Sequence, residues 1–420
     1  MAAESNEREG AGAGTGRVMA EAERHRTATV DLLRDIIRTP SLSGGEADVV
    51  ARLQGEMASL GFDEVIEDPF GSVVGRIGSG PVKIVYDSHI DTVDIGSRSE
   101  WSRDPFEPAL EGSLEGGVVH GRGASDNKAG IASMIHGAAL ARDLDRLGEV
   151  TLYVIGSVQE ETCDGLALEQ VLTNVVPLPD VVVLGEATGC KLYRGHRGRV
   201  EVAVRTRGTS CHASAPDRGH NPVYDLAGVI AEIEELNGRL GYDEFLGAGT
   251  IALTKIECET PSLNAVPATA TLYVDRRLTV GETPELALEE LRSLRSVRSV
   301  GGEVTLLDYE KTSYTGMTLT SKKYFPTWVT PEDHVSVSAG VAAGTEALGR
   351  PPEIGHWVFS TNGCASMGRL RLPTIGFGPA DEVHAHTAHD QCPTDDLVQS
   401  IAFLGVFPSA FTSRWRAAGG

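Results

Sequence analysis

VKIVYDSHIDTVDIG, residues 82–96, is the stretch on which the reading of the whole chain turns. VKIVY is β-prone and mostly apolar, the composition of a strand buried inside an α/β sheet. Polar residues then arrive at its carboxyl end, where open α/β sheets bind their ligands. Side chains two apart on an extended chain point the same way, so His89 and Asp91 share one face there. Alone, the stretch reads equally well as a capped strand end with two polar surface residues.

Working outward, residues 21–38 and 45–60 have helical apolar spacing, and Gly61 is a good left-handed stop for the second. Downstream, a helical stretch over 129–141, the run VTLYVIGSV (150–158) and DVVVLGEA (180–187) predict a mainly parallel sheet layered with helices. From about Gly198 the order becomes strand, helix, strand, strand, helix, strand, the ferredoxin-like pattern, and it closes near Tyr309. The expected fold is therefore α/β, with a βαββαβ domain over 198–309 inserted into a sheet domain made of 17–197 and 310–420. That domain resumes at TPEDHVSVSAGVAAGTEALG, with Thr330 as N-cap and Pro331 in the first turn, and finishes with the strand LPTIGFGPA and a helix over 394–411. Residues 1–16, small and charged, read as a disordered tail.

The 420 residues, 41% of them hydrophobic, suffice for about two domains. A formal charge of −22 repels a phosphate backbone or an anionic membrane, so no nucleic-acid or membrane partner is expected. Six scattered cysteines without a C-x-x-C pair favour reduced thiols in the cytoplasm. Residues 1–16 lack the apolar core of a secretory signal, so none is expected there, and no window holds about 18 uninterrupted apolar residues, so no transmembrane helix is expected.

Four further polar clusters fall at or just beyond strand ends: Asp126 in HGRGASDNKAG, Glu160 and Glu161 in GSVQEETCDG, Glu186 in VLGEAT, and His384, His386 and His389 in HAHTAHD. Each taken singly is also a helix cap, a loop cap or a solvated pair. Together with His89 they supply imidazoles and carboxylates suited to zinc or a similar divalent ion, and two close ions need one carboxylate between them. Neighbouring side chains point apart, so one of Glu160 and Glu161 is free to bind metal while the other faces substrate as an acid–base group. Asp91 is placed to accept the free N–H of His89 and fix its tautomer.

DSHIDTV, GRGASDNKAG, QEE, GEAT and HAHTAHD, in that order, resemble the di-zinc peptidase and deacylase superfamily of aminoacylase, acetylornithine deacetylase, succinyl-diaminopimelate desuccinylase and glutamate carboxypeptidase. Within it, YRGHRGRVEV, SCHASAPDRGHNPVY, DRRLTVGET, YFPTWVTPEDH and FSTNGCASMGR look most like the YgeY-like, selenium-metabolism-linked hydrolases. The resemblance implies two divalent ions, most commonly Zn²⁺ with Co²⁺ or Mn²⁺ as options. His89 and Glu186 would hold one ion, Glu161 and His386 the other, with Asp126 bridging and Glu160 as general base. It implies a cis peptide after Asp126. It makes the inserted domain a lid and dimerisation domain, whose His212 polarises the scissile carbonyl in the partner's site. Asn264, Arg277 and Thr361 match substrate-binding positions. The closing His389-Asp390 departs from the usual Asn-Glu or Asn-Asp, leaving His384 and His389 as further donors.

The expected activity is hydrolysis of a C–N amide bond in a small carboxylate-bearing substrate, of dipeptidase, carboxypeptidase or N-acyl-amino-acid deacylase type. Two other readings stand beside it. Ser125 and Lys128 satisfy the S-x-x-K pattern of serine acyl hydrolases but lack a following K-T-G. A non-catalytic metal- or ligand-binding protein of the same fold would have no need of Glu160.

Overall fold

The computed structural model describes residues 16–420, so the expected tail, but for Gly16, lies outside the described residues. Three buried strands, β1 (Val82–His89), β2 (Val150–Ser157) and β3 (Val181–Leu184), form the parallel heart of a nine-stranded mixed sheet. All residues of β2 and β3 are buried, and those of β1 except Lys83, which explains their unbroken apolar character. Thr374–Gly376 continues the parallel pairing beyond β3. Antiparallel strands complete the edges, Glu64–Glu67 and Val73–Gly78 on one side, Leu192–His196 and Trp328–Val329 on the other.

Helices cover both faces. The helix α1 (Lys128–Asp143) is buried from Lys128 to Ala141, on all sides, between β1 and the C-terminal helix Thr394–Ala417. Tyr86 on β1 donates its hydroxyl to the Leu404 carbonyl of that helix at 2.7 Å, and Phe377 stacks on Phe403 at 3.8 Å, continuing through Phe407 and Phe411.

The inserted unit has the expected order β4 (Gly198–Arg207), α2 (Pro222–Leu236), β5 (Thr250–Glu259), β6 (Thr269–Leu278), α3 (Pro284–Ser293) and β7 (Glu303–Leu306). Its antiparallel sheet runs β5-β6-β4-β7, the ferredoxin-like arrangement. Asn221 caps α2 and Thr283 caps α3, each followed by proline at the first helical position. Val200, Val202, Val204, Leu272 and Val274 pack on Leu226, Val229 and Leu291, while the alternate residues Arg199, Asp275 and Arg277 leave this core by strand periodicity. Tyr324–Phe325 also pairs with β4, so the sheet draws on chain beyond Tyr309.

One expected helix start is corrected. The helix is Val335–Leu348 and His334 caps it, accepting from the Ser336 amide, because the hydroxyl of Thr330 is buried and donates to the Thr374 carbonyl at 2.5 Å. Among the described residues no helix is long and apolar enough to cross a membrane.

Candidate metal centre

Parallel pairing brings three strand ends level. His89, the last residue of β1, pairs with Ser157 of β2, and Asp87 with Leu184 of β3. Glu160 and Glu161 follow β2 by three and four residues, and Glu186 follows β3 by two. Asp126 arrives from the loop before α1, where its bond to Asn127 is cis. Gly130 lets this helix come close, since a Cβ there would run into the Gly185 carbonyl.

The donor atoms converge in two triads that share Asp126: His89, Asp126 and Glu186, and Asp126, Glu161 and His386. His89 Nε2 lies 2.9 Å from Asp126 Oδ1 and 3.6 Å from Glu186 Oε1. His386 Nε2 lies 2.9 Å from Glu161 Oε2 and 3.2 Å from Asp126 Oδ2. Glu161 Oε1 is buried without a hydrogen-bond partner. Imidazole nitrogen with carboxylate oxygen in three-residue sets, one carboxylate shared, fits two divalent ions of the zinc kind.

Asp91 does more than the sequence implied. The His89 Nδ1 sits 3.0 Å from the Asp91 carbonyl oxygen and 3.5 Å from its carboxylate. That carboxylate is fully buried and accepts the amides of Glu160 at 3.0 Å and Glu161 at 3.2 Å, and the Ser43 hydroxyl at 2.6 Å. It thereby sets the divergence of the two glutamates. Asp390 ties together the other two loops. It accepts the Gly123 and Ser125 amides (2.7 and 2.8 Å), the Ser125 hydroxyl and the buried Arg122 guanidinium, fastening the His386 loop to the Asp126 loop.

This clamp also removes the serine reading. Ser125 donates to Asp390, and the Lys128 ammonium is spent on the Ile36 and Thr39 carbonyls. In the histidine run, His386 reaches the donors, whereas His384 Nε2 lies against Gln391 at 3.0 Å.

Without metal the centre is an electrostatic conflict. Burial pushes Glu186 up to about 8 and raises Glu161, while hydrogen bonds to Asp126 and Glu161 push His386 up to about 10. Burial alone would lower His89, but Glu186, Glu160, Asp126 and Asp91 together hold it well above its ordinary value. For all of these the folded chain holds its protons more tightly than the unfolded one. The stability they contribute is present below the ordinary values of 4.5 and 6.5 and is lost as pH rises through about 8 to 10. Chelated protein should therefore show a melting temperature that falls between pH 6 and 10, a slope that two equivalents of Zn²⁺ flatten; differential scanning fluorimetry reads both.

Residues 194–303 match the family model described as the peptidase dimerisation domain. Over 391 residues the chain is 41% identical to the uncharacterized protein YgeY of Escherichia coli strain K12, covering 93% of this chain and 96% of that protein. The chain belongs to the M20 metallohydrolase family. It is also 27% identical over 400 residues to a succinyl-diaminopimelate desuccinylase of Gluconacetobacter diazotrophicus, covering 91% and 96% of the two chains. The fold matches that of an M20 family metallo-carboxypeptidase, Sso-CP2 of Sulfolobus solfataricus, with a TM-score of 0.69 at 19% identity, over 91% of this chain and 99% of the other. The expected family and fold are borne out, and the M20 assignment makes the chain a metallohydrolase of the peptidase and deacylase type.

In this M20 chain the donors open into a cavity of about 250 Å³ whose lining also includes Arg277, Arg199, Asp164, Ser360, Phe359 and Glu382. Arg277 is bidentate to Asp275, at 2.8 and 3.1 Å. Thr361 is fully buried with its hydroxyl 3.0 Å from His196 Nδ1, and its neighbours Phe359 and Ser360 line the cavity. His212 and Asn264 are exposed on the inserted domain, outside the lining of this cavity. Sequence reasoning missed Asp164, Arg199, Ser360 and Glu382. Asp164 and Glu382 were within reach as acids four residues from Glu160 and His386, but the Arg199–Asp164 pair joins residues 35 apart and has no local signal.

Proposed function

We propose that the chain is a two-metal amide hydrolase that cleaves the C–N bond of a small carboxylate-bearing substrate, with Glu160 as general base. The two donor triads that share Asp126, with Glu160 beside them but outside both, carry this reading. Two divalent ions, best Zn²⁺ with Co²⁺ or Mn²⁺ able to replace it, would be held by His89, Asp126 and Glu186 and by Asp126, Glu161 and His386, supplying Lewis acidity for the attack of water on the carbonyl.

Glu160, only 7% exposed and 3.9 Å from His89 Nε2, takes the proton of the attacking water on its carboxylate and returns it to the leaving nitrogen. Burial, then Asp164, raises its proton affinity well above that of an ordinary glutamate. The Arg277 guanidinium grips the substrate carboxylate, aided by Asn264, which sits beside His212 in the inserted domain and would reach the site from the same subunit as that histidine. His212 accepts the Ser214 amide at Nδ1, 3.1 Å away, with the Ser214 hydroxyl 2.7 Å from the same atom, which leaves Nε2 as the ring's available donor. Acting from a partner subunit, that donor would meet the oxyanion.

The chain works as a homodimer through residues 198–309, with 17–197 and 310–420 as the catalytic domain. Six free thiols suit a reducing cytoplasm. The test is metal content per chain together with hydrolysis of a panel of dipeptides and N-acyl amino acids before and after chelation. About two ions per chain and chelator-sensitive, restorable turnover are expected; chelator-resistant turnover without bound metal would overturn the reading.

A further inference from the structure

Besides Glu160, four charged side chains line the cavity without belonging to either donor triad: Asp164, Arg199, Arg277 and Glu382. Both arginines already have an anion within the fold. Arg199 Nη2 is 2.5 Å from Asp164 Oδ1, with its guanidinium over the Phe325 ring, and Arg277 forks onto Asp275. Ser360, on the same wall, gives its hydroxyl to Asp164 as well. Each arginine thus has one carboxylate within the fold, and Arg277, 22% exposed, still presents to the cavity.

Glu382 is not balanced. Its Oε2 is buried and has no hydrogen-bond partner. The two cations whose fields reach it are committed elsewhere: the Lys191 ammonium lies 3.2 Å from Glu353 Oε2, and the Arg197 guanidinium donates to the Val358 and Ala248 carbonyls at 3.0 and 2.8 Å. Asp381 alongside contributes repulsion, spending its own carboxylate on the Val383 amide. Burial, then Asp381, pushes the Glu382 carboxyl up to about 7. A buried carboxylate oxygen left without a donor is destabilising, more so when charged, and a cationic hydrogen-bond donor arriving with the ligand removes that cost.

We propose that Glu382 is the recognition point for a cationic group, an ammonium or guanidinium, carried by the substrate together with its carboxylate. The substrate class is then a zwitterionic amide, a dipeptide or the amide of an amino- or guanidino-acid, and not an N-acyl amino acid with a neutral acyl group. This rests on the amide-hydrolase reading above and narrows it. Arg277 comes from β6 of the inserted domain and Glu382 from the turn leading to His386, so the two groups reach the one cavity from different parts of the chain.

The test compares full-length, metal-loaded protein on isosteric pairs differing only in charge: glycyl-leucine against propionyl-leucine, and β-alanyl-leucine against butanoyl-leucine. The wild type should favour the ammonium member of at least one pair by about tenfold or more in kcat/KM, and Glu382→Gln should bring that ratio close to one, mainly through KM. Circular dichroism and metal content confirm that the variant is folded and loaded. A wild-type preference for the neutral members, or a charge preference that survives in Glu382→Gln, overturns the proposal while the hydrolase reading stands. If no member is hydrolysed, the amide-hydrolase reading fails for this class, and calorimetric binding of the same pairs decides the recognition question. Tighter binding of the ammonium member in the wild type alone supports a cation site, and equal binding refutes it.

Discussion

Glu160→Gln is expected to bind two divalent ions per chain and to lose about 10²–10⁴-fold in kcat. The substitution keeps size and shape, and the backbone amide of residue 160 still meets Asp91 Oδ1. Glu160 is absent from both donor triads, so the ions keep all their protein ligands. What disappears is a carboxylate able to hold a proton between two bond-breaking events, and an amide oxygen is far too weak a base to replace it. Plasma mass spectrometry for metal and steady-state kinetics for kcat separate the two effects. Glu161→Gln gives the contrast, because Glu161 Oε2 lies against His386 in the second triad and its loss should lower metal stoichiometry. Near-normal turnover in Glu160→Gln would remove Glu160 from the chemistry.

His212→Ala is expected to lose about 10²–10³-fold in kcat, the usual worth of one oxyanion donor. More telling is its mixture with Glu160→Gln. If His212 serves the partner's site, a mixed dimer contains one site with both groups intact and one with neither. Random exchange makes half the dimers mixed, so about one quarter of wild-type activity should return. If His212 serves its own chain, every site in the mixture lacks one group and nothing returns. Subunit exchange followed by an activity assay distinguishes the two, and the absence of any recovery would discard the cross-subunit role.

Much of this was legible in the sequence because the informative residues lie where the chain changes character. VKIVY, VTLYVIGSV and DVVVLGEA are buried on both faces, so their apolar runs mark the strands, and the polar residues within a few positions of the strand ends include the candidate donors His89, Glu161 and Glu186. The ferredoxin-like order was equally plain, since its strand β6 alternates buried and half-buried residues. Other features depend on partners that sequence spacing does not reveal. Thr330 looked like a helix cap until its hydroxyl was drawn to Thr374, across the sheet. Thr361 matched a substrate position by motif, yet a buried histidine 165 residues away holds its side chain. The Asp91 carboxylate looked committed to His89 when it anchors the amides of Glu160 and Glu161, about 70 residues downstream.

Asp126 turns Oδ1 to His89 and Oδ2 to His386. Two cations held by these triads would therefore not be independent guests. Whichever arrived first would fix the rotamer of a carboxylate that its neighbour also requires, sparing the second that ordering cost even as the like charges repel. Titration of the empty protein would read the balance of those opposing terms directly, as the gap between two stepwise dissociation constants, so that half-loading is a matter of cooperativity and not of two separate affinities.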